Sequence, residues 1–270
     1  MNTEGGPGDG VLRLASFNLL HGMVLRTGDA SDPGPLREAA AELGADVAAL
    51  QEVDVDQPRS SHVDQVSVFA HAAGLGHHVF HPTVDGTPGE RWSAASPGLG
   101  AGPRYGIGLA SRYPLTEVAV LDLGRARTGF PLLLPNGRPT MVHDEPRAAI
   151  AARIVTPIGP VTVASAHLSF VPGWNVVQLL RLTRWLARLP GPRLLLGDLN
   201  MPAVVSRLAR DWRPLATIAT YPAPRTRIQF DHALLSGDLG AAVTDVAARR
   251  LAVSDHCALT VTLGSPPVAR

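Results

Sequence analysis

A layered α/β domain with mixed sheets is the fold class that the sequence predicts, and three observations carry it. Residues 11–80 alternate strand-like and helix-like runs, the signature of layered α/β folds. Between residues 105 and 168, strand-like runs follow one another with no helical segment between them, which excludes purely parallel sheets. The chain shows neither repeat nor linker, and 270 residues suit one large domain.

The elements follow in chain order. MNTEGGPGDG (1–10) reads as a flexible Gly-rich lead-in to a single domain over 11–265. VLRLASF (11–17) is a strand that stops at Asn18. Ser31, Asp32 and Pro33 give an N-cap and first-turn signal for a helix through LREAAAEL, and Gly44 stops it. DVAALQE (46–52) is a short buried strand, SSHVDQVSVFAHAAG a second helix and GHHVF a strand. Residues 81–104 and 124–146 read as irregular stretches, either functional loops or tolerated insertions. YGIGLAS (105–111), LTEVAVLDL (115–123), RAAIAARIV (147–155) and VTVASAHL (161–168) are strands. NVVQLLRLTRWLARL (175–189) is an amphipathic helix with Arg181, Arg184 and Arg188 on one face. That face is either simply solvated or, continued by Arg193, Arg207, Arg210 and Arg213, lines a polyanion. RLLLGDLN, a short helix near Pro202, IQFDHALL and two further strands complete the domain.

Composition removes several function classes. The 24 basic residues are all arginine and face 23 acidic ones, for a net charge of +1. That balance argues against a protein held on DNA or anionic lipid mainly by a basic surface. The single cysteine, Cys257, excludes an internal disulfide and a cysteine-built zinc site. No run approaches the ~18 apolar residues of a membrane span, and the N-terminus lacks the basic and apolar regions of a signal peptide. A soluble, cytoplasmic protein without stable membrane insertion or an evident obligate protein partner is expected.

The polar residues sit where the apolar runs end. Asn18 and Glu52 close the first two strands, and His167 closes VTVASA. Asp198 and Asn200 follow LLLG, Asp231 lies within IQFDHALL, and Asp255 and His256 precede the last strand. Strand ends position side chains rigidly, so ligands gather there. Taken singly, most of these residues have an ordinary structural reading as turn, cap or strand-terminus groups. Asp231 does not, because a carboxylate on an apolar strand needs a partner. Together they form an oxygen-rich acidic centre suited to Mg²⁺ or Mn²⁺ rather than zinc.

The ordered set SFNLLHG (16–22), LQEVD (50–54), YGIGLASRYP (105–114), EPRAA (145–149), SAHLS (165–169), GDLN (197–200), FDHAL (230–234) and SDH (254–256) resembles the endonuclease/exonuclease/phosphatase superfamily of metal-dependent phosphoesterases. The resemblance runs from about residue 11 to residue 263. It implies a four-layer α/β sandwich, two mixed sheets packed face to face and flanked by helices. It further implies Glu52 as the principal metal ligand, with Asn18 and Asp255 near the metal or its waters. Asp198 would orient or deprotonate the attacking water, helped by Asn200. His256 would bind the phosphoryl group with Asp231 as its carboxylate partner, and His167 would be a second catalytic histidine. Arg147 and Tyr105 fall at substrate-binding positions. Trp174, seven residues past His167, either contacts a base or lipid tail or packs in the fold.

Departures narrow the branch. Leu20 stands where abasic-site endonucleases carry an aspartate, and His167 where they have a tyrosine. Arg104-Tyr105 follows Pro103 where pancreatic-type nucleases have the glutamate that supports their first histidine, so Glu145 and Glu90 become candidate partners for His167. The expected activity is hydrolysis of a nucleic-acid or phospholipid-type phosphodiester. The alternatives are phosphomonoester hydrolysis on a small phosphorylated metabolite or lipid headgroup, and a non-catalytic binding protein on the same fold.

Overall fold

The computed structural model describes residues 10–96, 102–133 and 139–264; most of the expected lead-in segment lies outside them. The chain opens with β1 (Leu12–Asn18), α1 (Gly34–Leu43), β2 (Val47–Val55) and α2 (Gln65–Ala72). It continues through β3 (His77–Gly86), β4 (Trp92–Ala94), β5 (Arg104–Ser111), β6 (Thr116–Gly124), β7 (Phe130–Leu133) and β8 (Pro139–Val142). Then come β9 (Arg147–Thr156), β10 (Gly159–His167), α3 (Trp174–Leu186), β11 (Arg193–Asp198) and α4 (Ala203–Ser206). β12 (Arg213–Pro214), β13 (Asp231–Ser236), β14 (Ala242–Arg249) and β15 (Ala258–Gly264) follow.

Two mixed sheets result. The seven-stranded one has the order β14-β15-β1-β2-β5-β3-β4, and the six-stranded one β12-β13-β11-β10-β9-β6. The pairs β1–β2 and β10–β11 are parallel and the remaining ones antiparallel. Side chains on a strand alternate between faces, and the sequence uses both. Leu12 and Leu14 of β1 pack against Val161 and Val163 of β10 and Leu194 and Leu196 of β11, forming the core between the sheets. Ala15 and Phe17, one step out of phase, pack with Leu36 and Leu43 of α1 and Phe69 of α2. On the far side, Leu179, Leu182 and Leu186 of α3 cover Ala149, Ala151, Ala164 and Leu195. Three cores separating four layers are the sandwich that the resemblance implied.

Several local expectations are corrected. The stretches 81–104 and 124–146 are not wholly irregular: β3 extends to Gly86, β4 pairs with it, and β7 and β8 form a separate hairpin. These strands are stabilised by pairing with remote or neighbouring backbone rather than by their own apolar periodicity, so the sequence pattern hides them. Pro33, not Ser31, is the N-cap of α1, with no side-chain cap; Asp32 instead accepts from the Gly34 amide. α2 starts at Gln65, capped by Asp64 through the Ser67 amide. The α3 segment begins at Trp174 and stops at Leu186, which leaves Arg181 and Arg184 on its solvent side and Arg188 beyond its end. Asp231 opens β13 instead of lying inside a strand. No helix among the described residues is long and apolar enough to cross a membrane.

Gly197 lets β10 and β11 approach, since a Cβ there would collide with the Ala166 carbonyl. Gly197→Ala is expected to cost about 1–3 kcal/mol as an overpacking change. Urea denaturation reads this directly, and wild-type stability in the variant would contradict the close strand contact.

Candidate active site

Strand register and alternation bring the polar strand-end residues together. His167 is paired with Asp198, and Asp198 with Asp231, across β10, β11 and β13. Asp198 shares the parity of Leu194 and Leu196, and Asn18 that of Leu12 and Leu14, so both point into the space between the sheets where the apolar core gives out.

Glu52 arrives there differently. Gln51 continues the inward face of Val47 and Ala49, reaching Ser16 and Ser165, so strict alternation would turn Glu52 outward. A β-bulge between Leu50 and Val53 resets the count, and both of those residues pack in the outer core. Glu52 takes φ +55° in the bulge, a conformation that costs a non-glycine residue on the order of 1 kcal/mol. Its carboxylate thereby meets the first sheet's Asn18: Asn18 Nδ2 donates to Glu52 Oε1 at 2.9 Å and to Asp198 Oδ2 at 3.0 Å. Asn18 Oδ1 accepts from the Leu20 amide at 3.0 Å, which fixes the amide's orientation. Asn18 therefore presents nitrogen to the two carboxylates and bridges them.

Asp198 and His256 face each other. The Asn200 amide donates to Asp198 Oδ1 at 2.9 Å, and His256 Nε2 lies 3.8 Å from Asp198 Oδ2. Burial pushes the Asp198 carboxyl up, the His256 charge opposes it, and the neighbouring Asp231 adds to it, leaving Asp198 at about 7. Burial alone would lower His256, but the Asp231 and Asp198 carboxylates outweigh it and hold the imidazole at about 10. Asp231 Oδ2 sits 2.9 Å from His256 Nδ1, as a carboxylate partner should. The other side of the ring is covered by Tyr221, centroids 4.9 Å apart. The Ser254 hydroxyl accepts from the His256 amide at 3.0 Å and donates to the Asn18 carbonyl at 2.6 Å, tying the SDH turn to the end of β1.

His167 is in the opposite state. Neither Glu145 nor Glu90 is its partner: a guanidinium occupies that position. Arg147 Nη1 lies 3.0 Å from its Nδ1 and 3.2 Å from its Nε2, and Asn200 Nδ2 lies 3.3 Å from Nε2. Two donors thus crowd Nε2, with Asp198 Oδ2 farther off at 3.7 Å, an arrangement that favours the neutral ring. Burial, then the Arg147 and His256 charges, hold its pKa well below the usual histidine range.

Arg147 is itself anchored by two acidic residues, of which the motif reading did not single out Asp144. Its Nε is 3.5 Å from Asp144 Oδ1 and its Nη2 3.9 Å from Glu145. Asp144, fully buried, also accepts from the Ala126 amide and the Ser169 hydroxyl at 2.8 and 2.7 Å. Asp54, in the LQEVD motif, is held bidentately by Arg59 at 2.7 and 2.8 Å, and that guanidinium lies over the Tyr105 ring at 5.7 Å. The signal for both was present: a buried charge requires an opposite one nearby in space. Trp174, by contrast, is the first residue of α3, half-buried, and its Nε1 has no hydrogen-bond partner among the described residues. The site approaches it only through Asn175, whose Nδ2 donates to the Asn200 carbonyl at 2.8 Å.

The donor set suits a hard divalent cation. Among the described residues Glu52 Oε2 accepts no hydrogen bond, and Asp255 is raised by burial and then by Glu52 and Asp231, with His256 opposing. Carboxylates desolvated beside one another are stabilised by a cation between them. No three His, Cys, Asp or Glu side chains converge on one position among the described residues.

The Asp231–His256 contact has a signed pH dependence. His256 titrates near 10 in the fold against an ordinary 6.5. Its contribution to stability is therefore fully present below about pH 6.5 and is lost as pH rises through about 10. Asp231→Asn should bring the His256 titration, followed by imidazole NMR in the metal-free protein, down toward or below its ordinary value and remove that part of the pH-stability profile. A titration still near 10 in the variant would refute the pairing.

Comparison with known proteins agrees with this geometry. Residues 15–256 match the profile of the Endonuclease/Exonuclease/phosphatase family. An endonuclease/exonuclease/phosphatase from Beutenbergia cavernae DSM 12333 superposes with TM-score 0.70 at 22% identity, covering 96% of this chain and 73% of that one. ANGEL2, a 2',3'-cyclic phosphatase, gives TM-score 0.62 at 13% identity over 94% of this chain and 95% of its own. A mannosyl-6-phosphatase of Bacteroides thetaiotaomicron VPI-5482 gives 0.57 at 14% over 93% and 99%. At these identities the likeness shows a shared fold. Sequence comparison with curated proteins finds no match. With the family profile spanning nearly every element described above, the chain belongs to the endonuclease/exonuclease/phosphatase family, whose chemistry is hydrolysis at phosphoester bonds.

Proposed function

We propose that the chain is a divalent-metal-dependent phosphoester hydrolase with Asp198, His256, Asn18, Glu52, His167 and Asn200 as its working residues. The observation that carries the reading is one gap between the sheets where His256 Nε2 faces Asp198 Oδ2 at 3.8 Å, Asp231 holds the other ring nitrogen at 2.9 Å, and Asn18 ties Asp198 to Glu52.

A phosphoester is anionic and repels a nucleophile, so hydrolysis needs charge neutralisation and an aligned water. Asp198 is suited to accept the water's proton as the water oxygen bonds to phosphorus and the ester P–O bond breaks, because a base titrating near the working pH is most effective; the proton then passes to the departing alkoxide, which leaves as the alcohol. The Asn200 amide and Asn18 Nδ2 each hold one carboxylate oxygen and so fix the direction from which the proton is taken. The imidazolium of His256 donates to a non-bridging oxygen, and Asp231 keeps it charged. His167, neutral and bound by Arg147, orients a polar atom of the substrate without contributing charge. Glu52 with Asp255 would hold Mg²⁺ or Mn²⁺, which supplies Lewis-acid polarisation of the phosphoryl oxygen when bound. Arg147 and Tyr105 lie beside Glu52 on the substrate side.

Bis(p-nitrophenyl) phosphate and p-nitrophenyl phosphate should be hydrolysed with Mg²⁺ or Mn²⁺ and not in EDTA; their rate ratio separates diesterase from monoesterase. Asp198→Asn and His256→Ala should each lower kcat/KM by about 10²–10⁴-fold. Wild-type rates in either variant would remove that residue from the mechanism. Mg²⁺ should also raise the melting temperature of the protein, since an ion bound only by the native state stabilises it, and Glu52→Gln should abolish that rise. A wild-type response in Glu52→Gln would place the ion elsewhere.

A further inference from the structure

The loop between β12 and β13 is fastened on both sides of the catalytic imidazole. The Ala223 amide donates to the Asp255 carbonyl at 2.7 Å, and the Cys257 amide to the Thr220 carbonyl at 2.8 Å, so His256 is flanked by two backbone contacts to this one loop. Inside that clamp the Tyr221 ring lies 4.9 Å from the His256 ring, centre to centre. The loop is also closed on itself. Tyr221 and Ile228 exchange both backbone hydrogen bonds at 2.9 Å, and the Arg227 amide donates to the Tyr221 carbonyl at 2.7 Å. These contacts fix the backbone of residues 221–228 against the centre.

Two arginines project from it. Arg225 and Arg227 are exposed, and neither forms an ion pair among the described residues. Arg59 and Arg147, by contrast, are committed to Asp54 and to Asp144 and His167. Asp255, whose carbonyl the loop grips, has its carboxylate among Glu52, His256 and Asp231. From Trp212 to Phe230 the sequence contains three arginines and no acidic residue, so the loop's own stretch does not neutralise the pair. A guanidinium is permanently charged, and its planar fork matches a phosphate bidentately. One without a protein partner is available to a ligand without first breaking an internal contact. The imidazolium of His256 takes the scissile phosphoryl group, so arginines on the loop that carries Tyr221 meet what the substrate carries next to it.

We infer that Arg225 and Arg227 bind a second phosphate group, carried by the substrate beside the scissile one, and so make this loop specificity-determining. The inference rests on the hydrolase reading for the ester that is cleaved, but the binding it asserts is measurable without turnover. The same chemistry comes from the neighbouring phosphate of a nucleic-acid strand or from a small bisphosphate.

Thymidine 5′-(p-nitrophenyl phosphate) and its 3′-phosphorylated counterpart differ only in that second phosphate. With saturating Mg²⁺ at low ionic strength, the phosphorylated ester should be favoured about fivefold or more in kcat/KM, through KM, since exposed charge contacts are individually weak and two add. Raising NaCl to about 0.5 M should erase most of that advantage by screening. In the Arg225→Gln/Arg227→Gln double variant the advantage should vanish while the rate on the unphosphorylated ester holds. Equal kcat/KM on the two esters in the wild type, or an advantage that survives the double substitution, would overturn the inference. A ten-nucleotide single-stranded DNA and fructose 1,6-bisphosphate identify the source. The one whose kcat/KM falls in the double variant carries the second phosphate, and a fall in neither counts against the inference. Calorimetric titration in EDTA with thymidine 3′,5′-bisphosphate and thymidine 5′-phosphate repeats the comparison without chemistry. The bisphosphate should bind the wild type about fivefold more tightly and lose that margin in the double variant. Equal binding to the wild type sinks the inference whatever becomes of the hydrolase reading. If no ester is hydrolysed with any divalent metal while the calorimetric margin is present, the hydrolase reading alone fails and the phosphate site stands.

Discussion

Two carboxylates that repel each other are held on a single amide nitrogen. Asn18 Nδ2 donates to Glu52 within its own sheet and to Asp198 in the sheet opposite, at 2.9 and 3.0 Å. The rest of the site is arranged around that contact. It requires β1 to end where the inter-sheet core ends, β2 to be bulged so that Glu52 turns inward, and β11 to present Asp198 on the facing strand. Buried like charges destabilise a fold unless something offsets them. Here the offsets are the Asn18 amide and the His256 charge.

The two histidines show how environment assigns roles within one residue type. His256 faces two carboxylates and is charged; His167 faces a guanidinium and is neutral. Environments that push titratable groups apart are a general guide to which is acid, which is base and which merely orients. The substitution of a guanidinium for a carboxylate behind His167 is this chain's own departure from the pattern that its motifs suggested. It concentrates the proton chemistry on the Asp198–His256 side of the site.

Much of this was legible in the sequence, for identifiable reasons. Asn18, His167, Asp198 and Asp231 end or begin strands whose apolar alternation is strong, so their position and facing follow from counting. Glu52 could be placed at a strand end but not aimed, because the bulge that turns it depends on pairing with β5 and on a positive φ. Asp144 and Arg59 carry no motif of their own, and their importance comes from contacts with Arg147 and Asp54 that exist only in three dimensions. The guanidinium behind His167 was likewise invisible: EPRAA shows an arginine opening a strand, but not which ring lies opposite. The hairpins within the irregular stretches escaped because edge strands are held by neighbouring backbone, not by a buried face.

The hydroxyl of Ser254 adds a topological consequence. By donating to the Asn18 carbonyl while Asn18 reaches Asp198, it makes the centre a knot of three segments separated by 180 and 236 residues along the chain. No fragment containing only early, middle or late strands holds enough of the constellation to function. Competence is thus an all-or-nothing attribute of the closed sandwich: a partly assembled chain, whatever secondary structure it has gained, is chemically silent. Such a chain gains its chemistry only at the last step of assembly, when the two sheets close on each other.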